Sequence, residues 1–333
     1  MHPAFQGLLT VVIGVGGCLA YYYFSNAFLD KVLFPPRGKN AGRNINRANM
    51  IRPWLFLAPA LIALGLYLAY PVVETLRLSL TDRSQGGAFV GLANYSQMAS
   101  EPKFWEALTN NFLWLLIVPA FSTMFGLLAA QLTDRIGWGA IAKSLIFMPM
   151  AISFVGAAVI WKLVYDTRPI DQDQIGVMNA IYLSLGGDEP QQWLTIPFWN
   201  SILLMLVLIW IQTGFAMVIL SAALRGIPEE TIEAAIVDGA NPFQVFFKIK
   251  IPQIASTIVV VWTTITIVVL KVFDIVFAMT NGQWETQVLA NYMYDKLFRA
   301  NDWGVGSASA MVIMLLVSPI LVWNVYNARK EMR

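Results

Sequence analysis

Charge is scarce in this chain. Of 333 residues only 13% are Asp, Glu, Lys or Arg, whereas 57% are hydrophobic. A soluble domain carries about a quarter charged residues. A core of this size cannot hide so many apolar side chains, so a lipid-facing surface is the simplest account. Cysteine and histidine are nearly missing. With one cysteine, Cys18, no intrachain disulfide can form, and with one histidine, His2, a Cys/His zinc cluster and a serine–histidine triad both lack their parts. Cys18 reads as a small packing residue. No Gly-x-x-x-x-Gly-Lys-Ser/Thr phosphate loop occurs, so the chain is not expected to hydrolyse ATP itself. The net charge of +2 is too small to suggest a nucleic-acid partner. Alternating strand patterns of the barrel type are also absent.

What is present is a series of seven apolar stretches, at about 8–34, 54–80, 110–133, 143–165, 199–223, 255–279 and 304–326. Each is long enough to cross a bilayer as a helix, the only open structure that satisfies its own backbone in lipid. The fold class expected is therefore all-α integral membrane. The first stretch lacks a basic start and a small-residue cleavage site, which favours an uncleaved helix over a signal peptide. Orientation follows from Lys and Arg. One side carries Lys31, Arg37, Lys39, Arg43, Arg47, Arg52, Arg135, Lys143, Arg225, Lys248, Lys250, Arg329, Lys330 and Arg333. The other carries only Arg83, Lys103, Arg168, Lys296 and Arg299. The basic side is expected in the cytoplasm, which puts Met1 outside and Arg333 inside. The outer loop Asp166–Pro197 holds five acids without calcium-loop spacing and reads as a solvated loop.

The most informative segment is the loop Leu224–Pro252 between the fifth and sixth stretches. Pro228 before Glu229 and Glu230 predicts the start of a short helix, with acids at the positive end of its dipole. Gly239 is placed to end that helix tightly. Asn241-Pro242 opens a second one, and Pro252 is expected to break the chain before the next span. Phe243, Val245, Phe246, Phe247 and Ile249 make the second helix unusually apolar for a loop. Such a surface needs either a partner protein or the bilayer face.

Glu233-Ala234-Ala235, Asp238-Gly239-Ala240 and Ile249-Lys250-Ile251-Pro252 resemble the EAA loop of ABC importer permeases, with Ile251 standing where the family has Leu. The likeness extends to Phe89-Val90-Gly91, Asn94-Tyr95, Phe147-Met148-Pro149, Trp161, Trp193-Leu194, Phe273-Asp274 and Thr280-Asn281-Gly282, and covers about residues 54–326. It is strongest to the larger permease subunit of maltose-type importers, and within that group to permeases for α-glucosides. The resemblance implies a type I ABC importer transmembrane domain, a six-helix core with one extra N-terminal helix. Residues 1–53 would be that helix and a basic linker, 54–326 the core with its coupling loop at about 224–256, and 327–333 a tail. Residues 82–108 are too few for the large outer domain of the enteric maltose subunit.

The resemblance also implies the partners. They are a second homologous permease, two copies of a cytoplasmic ATPase that hold ATP and Mg, and a periplasmic solute-binding protein, all at a bacterial inner membrane. No cofactor is expected in this chain. Glu233 would pair with a basic group on the ATPase, Gly239 would set the angle between the two short helices, and Ala234, Ala235, Asp238, Ala240, Phe243, Ile249 and Pro252 would complete the docking element.

A path for the solute is less sharply marked. Gln212 and Thr213, beside Trp210, lie within the fifth stretch, where polar groups are costly. An amide and an aromatic face suit a sugar, but Gln also bridges helices in bundles, and both readings stand. By resemblance, Ile211 and Gln212, Met150 and Phe154, and Ile265, Val269 and Val272 match sugar-contact positions of the maltose subunit, although most are apolar here. Lys271 and Asp274, three apart, are expected to share a helical face and pair, the alternative being a polar path. The substrate expected is an oligosaccharide of the α-glucoside type. The alternatives are another small polar solute (glucosylglycerol, trehalose or a polyol) or an ion-driven secondary transporter. Paired Gly/Pro-broken helices, which that last class often shows, are not evident.

Overall fold

The computed structural model of the chain describes residues 3–37, 40–82, 86–134 and 136–331. Lys39, Arg83, Arg135, Met1 and Arg333, which enter the orientation argument, lie outside them. The chain divides into two compact units, Met1–Glu74 and Thr75–Arg333.

In the first unit, α1 (Pro3–Phe28) ends in a π-helical turn, Leu29–Leu33, and α2 (Ala41–Leu64) runs on into a second, Gly65–Ala69. Arg52 joins the two helices by donating to both carboxylate oxygens of Asp30, at 2.6 and 2.8 Å. Tyr21 donates to the Leu55 carbonyl at 2.8 Å. Only Leu29 and Ala48 are buried among the described residues of this unit, so most of its apolar side chains face outward. That is the pattern of helices solvated by lipid. The basic linker is shorter than expected. After Pro35-Pro36 the chain is helical again from Ala41, which makes Arg43, Arg47 and Arg52 helical residues. No breaker stands between Ala41 and Pro53 except Gly42 in the first turn, where glycine costs little.

The chain passes into the second unit through α3 (Tyr70–Ser79), which the unit boundary divides. A two-residue hairpin follows, with Thr81–Asp82 antiparallel to Ala88–Phe89. Then come α4 (Ala93–Ser100), α5 (Pro102–Thr133), α6 (Gly139–Phe147), α7 (Phe154–Val164), α8 (Val177–Ser184) and α9 (Trp199–Arg225). The remainder is α10 (Glu229–Val237), α11 (Pro242–Gln244), α12 (Ile251–Gln253), α13 (Ala255–Leu270), α14 (Asp274–Met279), α15 (Leu289–Tyr294) and α16 (Trp303–Glu331).

The central element is α9, packed along α5 and flanked by α6, α7 and α13. Trp114, Leu204, Met205, Leu208, Met217 and Leu220 fill the space between them. Small residues let the backbones approach: a Cβ on Gly126 of α5 would lie 2.4 Å from the Ala216 Cβ of α9. One on Gly214 would lie 2.6 Å from the Ile146 carbonyl. Close approach of this kind is how helices associate where lipid removes the hydrophobic drive.

Five helical segments are long and apolar enough to cross a membrane: Phe5–Leu33, Ala41–Ser79, Pro102–Thr133, Trp199–Arg225 and Trp303–Trp323. Two more stretches qualify only if a bent pair counts as one span. These breaks correct three expectations. The stretch 143–165 is not one helix, because Met148–Ala151 winds into a 3₁₀ turn and α7 leaves at 105° to the helix before it. Pro149 has no N–H to give, and Ser153 restarts the helix by accepting from Gly156 N at 3.1 Å. Pro252 does not break the chain. It sits in the first turn of α12, where its missing N–H costs little, and the 70° bend falls at Ile254. The stretch 255–279 divides at Lys271–Phe273, so Lys271 and Asp274 do not share the face of one helix.

Candidate functional site

The loop after α9 is built as its residues require. Pro228 is the N-cap of α10, with Glu229 and Glu230 in the first turn. The helix closes in a Schellman motif: Gly239 N donates to Ile236 O at 3.0 Å and Ala240 N to Ala235 O at 2.9 Å. Gly239 has φ +84°, which L side chains resist. Asn241 then forms a capping box with Gln244. Its Oδ1 accepts from Gln244 N at 2.9 Å, and its own N–H donates to Gln244 Oε1 at 2.8 Å. A π-helical stretch, Val245–Lys250, links α11 to α12.

The resulting corner hides Val245 and packs Ile232 against the main core, while Ala235, Ala240 and Ile249 are half-buried. It leaves Glu233, Ala234, Asp238 and Pro252 exposed. Ile236, Val237, Phe243 and Phe247 are also outward, Val237 at 86% and Phe243 at 76% exposure. The Glu233 carboxylate has no partner among the described residues.

A group that sequence reading passed over anchors this loop. Asp134, just past α5, accepts from Arg225 Nε at 3.0 Å and Nη2 at 2.7 Å, and from Ser221 Oγ at 3.2 Å. Lys143 of α6 also bonds Asp134 and donates to Ser221 Oγ at 2.5 Å. Partial burial pushes the Asp134 carboxyl up. The hydrogen bonds and charges of Lys143 and Arg225 outweigh that, and hold it below the ordinary carboxylate value. An acid in the short segment 134–143, beside Arg135 and Lys143, was the available signal. Lys250 Nζ adds a bond to Gln131 Oε1 at 3.3 Å.

The path residues fall into two groups. Ile211, Ile265 and Val269 are buried in the packed core. Trp210 packs on Trp161, with ring centroids 5.7 Å apart at 71°. Met150 is exposed in the 3₁₀ turn. Phe154 and Val272, in contrast, line one cavity of about 320 Å³ together with Leu208, Val268, Lys271, Phe273, Asp274 and Ile275. Both breaks meet there: Phe154 opens α7, Asp274 opens α14, and the two helices pack on each other. Gln212 lies one turn along α9 from Leu208, on the same side of that helix. It is only 7% exposed, and its amide makes no hydrogen bond to another described residue. A Gln that ties two helices together would show such a bond. The expected Lys271–Asp274 ion pair does not form among the described residues, although both residues line this cavity.

A multi-span helical protein with a cavity between broken helices and a rigid, apolar corner outside them is a membrane transport component. Residues 16–330 match the family of binding-protein-dependent transport system inner membrane components, and the chain belongs to that family. It is 64% identical over 335 residues to the alpha-glucoside transport system permease protein AglF of Rhizobium meliloti, covering 99% of both chains. It is 48% identical to the osmoprotective compounds uptake permease protein GgtC of Synechocystis, over 84% of this chain and 100% of that one. Its fold is shared with a chain of a bacterial ABC transporter involved in the import of alginate, at TM-score 0.73 and 20% identity, over 89% of this chain and 100% of that one. Family membership sets aside the ion-driven alternative. The breaks at 148–153 and 271–273 are not a Gly/Pro-broken pair, since only the first contains a proline.

Proposed function

We propose that this chain is the permease subunit of an ATP-driven importer for α-glucosides. The observation that carries the reading is the 64% identity to an α-glucoside permease along essentially the whole chain. The Synechocystis relative supports a second reading, a small osmoprotective solute such as glucosylglycerol.

In this reading the basic side faces the cytoplasm, Met1 lies outside and Arg333 inside. The chain holds no nucleotide; two copies of a separate ATPase carry ATP and Mg. The corner made by α10, Gly239 and α11 docks in the ATPase. Ile236, Val237, Phe243 and Phe247 supply buried area, and Glu233 pairs with a cation there. Lys250 ties the loop to α5, and Asp134 ties the ends of α5, α6 and α9 together, so that α9 transmits a push toward Leu208 at the cavity and Gln212 one turn on. A second permease completes the path, and a periplasmic binding protein delivers the sugar. Phe154, Val272 and Gln212 form this chain's share of the wall, near Met150 and Trp210.

Uptake of labelled maltose and labelled glucosylglycerol by membranes holding the complete complex tests the reading. Binding-protein-dependent maltose uptake is expected. Uptake of glucosylglycerol alone would move the assignment to the second reading, and uptake of neither would overturn both.

A further inference from the structure

We propose that Lys271 and Asp274 are the polar contacts for a neutral, polyhydroxylated solute at mid-path. The inference rests on the importer reading and deepens it. Apart from these two, the cavity wall is dominated by apolar groups, among them Phe154, Leu208, Val272 and Phe273. Lys271 is exposed and Asp274 half-buried at the edge of this apolar wall, and each would be the natural partner of the other. The chain gives up helical geometry at Lys271–Phe273 instead. Neither side chain has an ion pair or hydrogen bond among the described residues, and both face the same cavity.

Two opposite charges left open toward one space suit a ligand that both donates and accepts. A carboxylate accepts from two hydroxyls, an ammonium donates to hydroxyl or ring oxygens, and a vicinal diol meets both demands. Phe154 and Phe273 supply rings for the C–H faces of a sugar. The charges cancel, so the cavity has no surplus sign with which to select an anion or a cation. A volume of about 320 Å³ is at the small end of ligand pockets, which suits one or two sugar rings passing through.

The test uses the full complex with its binding protein in proteoliposomes and labelled maltose as the probe. Lys271→Gln, Asp274→Asn, the double variant and Phe154→Trp are compared for uptake per assembled complex and for complex yield. Each single neutralisation is expected to lower uptake about tenfold or more, as for a lost hydrogen bond to a charged group, at unchanged yield. The double variant should transport no better than the worse single one. Wild-type uptake by either single variant would overturn the proposal. So would low yield in the singles with recovery in the double, the signature of two charges that serve each other. Phe154→Trp fills the cavity whatever its polar contacts. If it blocks uptake while the neutral variants transport normally, the cavity remains the path and only the role of the charges falls. If it leaves uptake intact, the cavity is off the path and the proposal falls with it.

Discussion

At Gly239 a single residue decides the geometry of the loop. Its φ of +84° and its N–H bond to Ile236 O are both required by the Schellman corner. Proline is denied both, since its ring fixes φ near −65° and it has no N–H. No heavy atom lies within 4 Å of a Cβ built there, so strain on substitution comes from the backbone and not from crowding. Gly239→Pro is therefore expected to abolish sugar uptake while the spans still insert, and Glu233→Lys to do the same by reversing a charge that has no partner among the described residues. Co-purification of the ATPase beside uptake checks this; normal uptake by both variants would remove the loop from coupling. Gln212→Ala and Gln212→Leu should each lower uptake several-fold, because a neutral hydrogen bond contributes about 0.5–1.5 kcal/mol. Complex yield should not change, since the amide bonds no other described residue. A drop in yield with normal uptake per complex would make Gln212 a packing residue.

Element by element, legibility in the sequence follows local chemistry. The short helices of the loop were readable because Pro228 fixes φ at a helix start, Gly239 admits the positive φ that closes a helix, and Asn241 caps the next one. The break at 271–273 was not. Lys-Val-Phe contains no glycine or proline, and the chain leaves the helix there for tertiary reasons that single residues do not announce. The break at 148–153 was half visible in Pro149. The tie at Asp134 was hidden because its partners are 9, 87 and 91 positions away. It joins the ends of α5, α6 and α9, and its lowered pKa fixes the sign of a pH effect. A carboxyl depressed on folding stabilises above its unfolded value of about 3.9, and that stabilisation is lost as pH falls through the folded value. Asp134→Asn should thus lower the melting temperature of the complex by a constant amount from pH 8 to pH 5. The gap should narrow below about pH 4. A gap that does not depend on pH throughout would assign the loss to packing instead.

At the scale of the whole molecule, the reading depends on which side of the bilayer the loop occupies. If the corner of α10 and α11 faced outward, its exposed Ile236, Val237, Phe243 and Phe247 would have no ATPase to meet, and α9 would transmit nothing. Lys and Arg alone set the proposed orientation, because these residues resist translocation whereas Asp and Glu have little effect. On that proposal the segment at Asn40 and the loop after α9 are cytoplasmic, and the loop between α7 and α8 is periplasmic. Those assignments are coupled, since each span reverses the side, so a single wrong side would invert or add a crossing. Cys18 is exposed and must first be replaced by Ala. Single cysteines at Asn40, Gln172 and Asp238, three exposed positions, then report the side through an impermeant thiol reagent. In intact cells with a permeable outer membrane, Gln172→Cys should label fully, while Asn40→Cys and Asp238→Cys should label only after lysis. Labelling of Asn40→Cys from outside with Asp238→Cys protected would add or remove one crossing between α1 and α9, leaving the coupling loop in place. Labelling of Asp238→Cys from outside would put the corner on the wrong face and end the coupling mechanism, whatever the sugar.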